Sequence, residues 1–204
     1  MYYYWKYKLK KMEEKFRTLA VQKAESYIDI QEVPGNMGWY KKGTKERDIV
    51  FEELMRTEGE WRETWAWCMS FVQLIWMLTY KELKFSQKLI DAVDYCLTPG
   101  TIRSIIRYKE KFPGFVNMEP KPGSIMIMRS YKNGIAQDTG HAGIVKLYQP
   151  GILKNIEGNT NDEGKREGKE VAQMIRSYDK GLPFVTPKGT KKVIYGFIHP
   201  IISL

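Results

Sequence analysis

Trp65-Ala66-Trp67-Cys68-Met69-Ser70-Phe71-Val72-Gln73-Leu74-Ile75-Trp76-Met77-Leu78 is the stretch whose reading decides the fold. Cys68, Phe71, Val72, Ile75, Trp76 and Leu78 recur at helical intervals, which predicts a buried helix. Upstream, Leu9, Met12, Phe16, Leu19, Ala20, Ala24, Tyr27 and Ile28 follow the same period. Lys8, Lys10, Lys11, Lys15 and Arg17 fall mostly on other faces, as in an amphipathic lead-in helix. Between the two helices, Glu32-Val33-Pro34-Gly35-Asn36-Met37-Gly38 is turn chemistry, because Pro34 and Gly35 sit badly inside a helix. Charged residues then dominate as far as Glu63. Another helix is predicted near Leu83 to Cys96, stopped by Pro99-Gly100.

Beyond Gly100 the pattern changes. Short apolar runs at Ser124 to Met128, Ala142 to Leu147, Leu153 to Glu157, Val171 to Ile175 and Val193 to Ile198 are separated by Gly, Pro and Asn clusters, which predicts strands. Helices first and strands afterwards make an α+β domain with an antiparallel sheet. The polar segment Asn159 to Lys169 is expected to be a mobile surface loop.

With 204 residues, 43% of them hydrophobic, the chain can bury one substantial core. No apolar run reaches the roughly 18 residues of a membrane span. The start, Met1-Tyr2-Tyr3-Tyr4-Trp5-Lys6, lacks the leader and cleavage site of a signal peptide, so synthesis in the cytoplasm is expected. A net charge of +9 suits an acidic partner, such as nucleic acid, an anionic membrane surface or an anionic wall polymer. The absence of an aromatic and basic repeat argues against nucleic acid. Two cysteines outside any C-x-x-C pair weaken metal and redox readings, and no metal or cofactor is expected.

Cys68 falls at the beginning of its predicted helix, where unpaired N–H groups and the helix dipole favour the nucleophilic thiolate. His141, in Thr139-Gly140-His141-Ala142-Gly143-Ile144-Val145, can serve as its base, with glycines leaving room beside the imidazole. Downstream, Ile156-Glu157-Gly158-Asn159-Thr160 puts Glu157 and Asn159 on one face of a strand, and either could orient the histidine. Cys96 and His199 read as structural. Trp61, Trp65 and Trp67 precede the nucleophile and can either pack the core or wall a substrate groove.

Taken in order, these motifs resemble the CHAP domain, a cysteine, histidine-dependent amidohydrolase/peptidase of the papain-like superfamily. The resemblance runs from about Leu19 to Pro200, through the Glu32–Gly38 loop, Trp67-Cys68-Met69-Ser70-Phe71-Val72, Lys121-Pro122-Gly123-Ser124-Ile125, Gly140-His141-Ala142-Gly143-Ile144-Val145, Ile156-Glu157-Gly158-Asn159 and Gly196-Phe197-Ile198-His199-Pro200. It implies a papain-like fold with N-terminal helices packed on a small curved antiparallel sheet. It also implies that Cys68 is nucleophile, His141 base, Glu157 the orienting carboxylate and Asn159 a supporting residue. Asn36 and Trp67 are the expected substrate contacts. Residues 1–18 are then a basic helical lead-in and 19–204 the catalytic domain. The chain departs from the family pattern at Ser124, where aspartate is commoner, and at His199, where arginine is commoner.

The implied activity is cleavage of an amide in peptidoglycan, either between muramic acid and L-alanine or within the peptides. Such an enzyme is expected to be a monomeric phage lysin or wall-lytic enzyme, made in the cytoplasm and acting on the wall after release or export. An interbacterial amidase toxin, and a non-catalytic basic protein binding wall polymers or nucleic acid, are the rival expectations.

Overall fold

A computed structural model describes residues 2–160, 168–178, 183–185 and 191–204. The lead-in is one helix, α1 (Tyr2–Ser26). Its apolar stripe enters the core from Phe16 onward, through Ala20 and Ala24, whereas Tyr4, Trp5 and Tyr7 are exposed. Phe16 and Arg17 are buried and α1 runs unbroken past Leu19, so no structural boundary falls at residue 18. The decisive sequence stretch forms α3 (Cys68–Glu82), preceded by α2 (Ile49–Thr57) and followed by α4 (Gln87–Asp94) and α5 (Thr101–Lys111). Sequence periodicity does not reveal α2 and α5. Asp48 caps α2 by accepting the Phe51 N–H at 3.0 Å, and Ser86 caps α4. Twelve of the fifteen residues of α3 are buried, because α1, α2, α4 and the sheet pack around it.

The five predicted strands are present as β4 (Ile125–Lys132), β5 (Ile135–Gln149), β6 (Gly151–Thr160), β7 (Glu170–Tyr178) and β9 (Lys191–Ile198). Four short strands accompany them: β1 (Gln31–Glu32), β2 (Trp39–Tyr40), β3 (Val116–Asn117) and β8 (Pro183–Val185). Among the described residues these make one open antiparallel sheet in the order β2-β1-β7-β6-β5-β4-β9-β3, with β8 on β9. The fold is therefore α+β. Of the segment expected to be a mobile loop, residues 161–167 lie outside the described residues.

Strand alternation divides the sheet into two faces. Ile125, Ile127, Ala142, Ile144, Ile156 and Ile198 point at the helices and join the main core. Met126, Met128, Val145, Leu153, Tyr178 and Phe197 build a smaller cluster on the other side. Beneath the helices, Trp39, Trp61, Trp67, Phe71 and Phe51 form an aromatic nest, in which Trp39 lies 4.4 Å from Trp61 and 5.3 Å from Trp67, centroid to centroid. That nest seats the start of α3, the end that carries Cys68.

Candidate active site

Cys68 is the first residue of α3, so its backbone N–H belongs to the helix-start set that has no partner within the helix. His141 is on β5 and Glu157 on β6, the neighbouring strand. The β5–β6 ladder ends at Ile144↔Ile156, short of both residues. Beyond it the His141 side chain and the Ala142 and Met69 backbone lie close enough to the Cys68 sulfur to favour its thiolate form. The imidazole Nε2 lies 2.8 Å from Glu157 Oε2. A carboxylate only accepts, so Nε2 carries the proton donated to Glu157, leaving Nδ1 for the thiol. Thiol, imidazole and carboxylate are thus joined in series, with Cys68 and His141 keeping 7% and 8% of their surface exposed.

Burial by itself would hold all three groups neutral. For Cys68 it pushes the thiol pKa up, but the charge and hydrogen bond of His141, with the two backbone donors, bring it below the ordinary thiol value. For His141 burial pushes down, and Cys68 and Glu157 together raise it to about 9. Glu157 is completely enclosed, yet Arg176 and His141 hold it down to about 2. The two shifts, Cys68 down and His141 up, both favour a thiolate–imidazolium pair. Cys96 makes the contrast: burial raises its thiol despite Lys111 and Arg107, and no imidazole faces it.

Arg176, on β7, went unrecognised in the sequence. Its Nε donates to Glu157 Oε1 at 2.7 Å and its Nη2 to Oε2, a two-pronged grip. In the ladder Glu157 faces Ala172 while Arg176 faces Leu153, so the two long side chains lean toward each other along the sheet. The one available signal was an arginine on the same strand face as Ala172 and Met174. Gly143 is explained by the same contact, since a Cβ there would lie 2.6 Å from Glu157 Cγ. The glycine beside the histidine makes room for the carboxylate.

Neither a family model, nor a curated protein, nor a solved structure matches this chain.

The remaining expected residues are distributed differently. Asn159 is buried at a bulge of β6, with a left-handed φ of 54° and an Oδ1 lacking any partner among the described residues. Asn36, half-buried with φ of 56°, faces the segment ahead of Cys68: its carbonyl accepts the Thr64 N–H at 2.9 Å. Trp67 does not wall a groove. Its ring has no accessible surface, because it fills the aromatic nest and packs on Gly158, where a Cβ would come within 2.6 Å of it. Trp61 is also core, and only Trp65 of the three is exposed, at 44%. The groove between α1 and the end of α3, lined by Leu19, Gln22 and Leu83, is at the opposite end of α3 from Cys68. Among the described residues no group of three or more His, Cys, Asp and Glu side chains could hold a metal, and no helix is long and apolar enough to cross a membrane.

Ser124 and His199, the two departures from the family pattern, meet in a second buried cluster. Ser124 Oγ is 2.8 Å from His199 Nδ1, Arg17 Nη1 donates to Ser124 Oγ at 2.8 Å, and His199 Nε2 is 2.9 Å from Asn117 Oδ1. Asn117 Oδ1 is an acceptor that also takes the Glu119 N–H, and Arg17 Nη2 lies 3.4 Å from Nδ1, so Nε2–H gives to Asn117 and Nδ1 accepts the serine proton.

Proposed function

We propose that the protein is a cysteine-dependent amidohydrolase of the papain-like CHAP type, acting on peptidoglycan. The observation that carries the chemistry is the linked series of Cys68, His141 and Glu157, assembled from a helix start and two neighbouring strands. The choice of peptidoglycan is supported by the ordered resemblance of the motifs and by a +9 charge suited to anionic wall polymers.

In this reading the Cys68 thiolate attacks the amide carbonyl, and the oxyanion is held in part by the Cys68 backbone N–H at the start of α3. The tetrahedral intermediate collapses as imidazolium His141 gives its proton to the leaving nitrogen, releasing an amine and leaving a thioester. Neutral His141 then takes a proton from water, the hydroxide adds, and the thiolate departs from the acid product. Glu157 steadies the charged imidazole, and Arg176 keeps Glu157 ionised. Trp65, three residues before the nucleophile, offers an exposed aromatic face to a sugar or peptide.

Mass spectrometry of purified peptidoglycan after digestion tests the reading. Wild type should release new amino termini and Cys68→Ala none, with the variant's thermal melt unchanged to within about 1 kcal/mol of stability. Free L-alanine termini would identify an amidase, and other termini an endopeptidase. No new termini from any of several wall types would remove peptidoglycan as the substrate.

A further inference from the structure

The nucleophile's helix begins on a residue that does not cap it. Trp67 occupies the N-cap position and makes no side-chain capping bond, where Ser, Thr, Asp or Asn would ordinarily satisfy an N–H of the first turn. Trp67 is held by its indole instead. The indole N–H donates to Glu32 Oε2 at 2.5 Å, across a sequence separation of 35 residues. Glu32 lies on β1, only 7% exposed, and its other oxygen accepts the Asn36 N–H at 3.0 Å. The Asn36 carbonyl in turn takes the Thr64 N–H. One carboxylate thereby ties the 33–38 loop to residues 64–67, immediately ahead of Cys68.

Burying a carboxylate is costly, and packing alone would be served as well by a neutral or apolar side chain. A charged acceptor is useful because it makes a stronger and more directional bond to the indole. The adjoining peptide bond makes that direction matter. Any displacement of Trp67 passes to Cys68, whose sulfur must meet the His141 ring and the Ala142 N–H together, and a misplacement of about 1 Å costs such a site heavily.

We propose that Glu32 is a positioning residue for Cys68, acting through the Trp67 indole and the Asn36 backbone to set the thiol against His141. It touches no reacting atom. The inference rests on the Cys68–His141 pairing of the proposed function and is independent of which amide is cleaved.

Alkylation of Cys68 by iodoacetamide as a function of pH, with the modified cysteine identified by peptide mass spectrometry, provides the test without any substrate. In the wild type, Cys68 should react well below the ordinary thiol range, because the paired thiolate is present there. Glu32→Gln keeps the shape but weakens the acceptor, and Trp67→Phe keeps the ring but removes the donor. Each should remain folded and lose about tenfold in alkylation rate near pH 6 while changing little near pH 10, an upward shift of about one pKa unit. The double variant should lose no more than the worse single one, since both cut the same bond. Folded single variants with the wild-type pH profile would overturn the proposal, leaving Glu32 a packing residue. If Glu32→Gln fails to fold, Trp67→Phe decides by the same criterion. An ordinary thiol profile in the wild type itself would overturn the Cys68–His141 pairing along with this inference, a result distinct from the first.

Discussion

The two histidines of the chain are buried to nearly the same degree, His141 8% and His199 5% exposed, and they end in opposite charge states. Burial pushes both pKa values down. At His141 the neighbours are Cys68 and the Glu157 carboxylate, which reverse the effect and carry the imidazole up to about 9. At His199 the neighbouring charges are Arg17 and Lys121, which add to burial and bring it to about 3. Each ring has both nitrogens engaged. What differs is the sign of the neighbouring charge, reinforced at His141 by hydrogen bonds from the ring to Cys68 and Glu157. One cluster favours a charged imidazole, and the other is a neutral clasp joining α1, β4 and the end of β9.

The comparison breaks most severely if the carboxylate of the charged cluster is neutralised. Glu157→Gln removes the second of the two charges that raise His141, so the His141 pKa should fall and turnover drop about 100-fold or more, the range in which acid–base groups contribute. It also leaves the Arg176 charge, 9% exposed, without the carboxylate it grips, which should cost about 3 kcal/mol of stability in urea unfolding. Turnover near the wild-type rate would mean that His141 works without an anionic partner.

The neutral cluster should make its mark on acid stability. His199 has a folded pKa of about 3 against an ordinary value of 6.5, so on acidification the unfolded chain takes up the proton first. Its contribution is fully present above about pH 6.5 and is lost as pH falls toward 3, on the order of 3 kcal/mol by pH 4. The charged cluster behaves differently. His141, raised, would by itself stabilise below pH 6.5 and lose that contribution as pH rises through about 9, while Cys68, lowered, has the opposite dependence. The proton that one gives up the other holds, so the pair adds little slope between about pH 6.5 and 9. Urea unfolding of wild type and His199→Asn across pH 4 to 8 should give a flatter acid limb in the variant. Equal slopes would place the acid sensitivity elsewhere.

How much of the structure is legible in the sequence depends on whether a feature is local. The buried α3, the five long strands and the loop at 32–38 are written in periodicity and turn residues, which act within a few positions. Helices α2 and α5 escape although α4 is shorter than either: α2 lies in a stretch dominated by charge, and α5 depends on packing of Ile102, Ile105 and Tyr108 into the core. Cys68 and His141 are suggested by helix-start and imidazole chemistry, and Glu157 is preferred to Asn159 only through the resemblance of the ordered motifs. Arg176 and Glu32 are not suggested. Arg176 reaches Glu157 obliquely across the ladder, and Glu32 meets Trp67 across 35 residues, so both roles come from tertiary geometry alone. Trp67 shows the converse, since its position beside the nucleophile suggests a substrate contact while the ring belongs to the core.

The smallest change should also test the cause most directly, by giving the neutral cluster the carboxylate it lacks. Ser124→Asp adds little volume at a fully buried position, with Arg17 Nη1 and His199 Nδ1 already pointing at the side-chain oxygen. Overpacking there costs about 1–3 kcal/mol, partly offset by a charge-assisted bond to Arg17. Because the carboxylate compensates Arg17 and faces the imidazole, the folded pKa of His199 should rise from about 3 toward its ordinary value. The loss of stability between pH 6.5 and 4 should then shrink to about half or less, measurable by the same urea series and by NMR titration of the ring. An unchanged His199 pKa would mean that burial alone sets it, and that the charges on Arg17 and Lys121 do not explain why the two histidines differ.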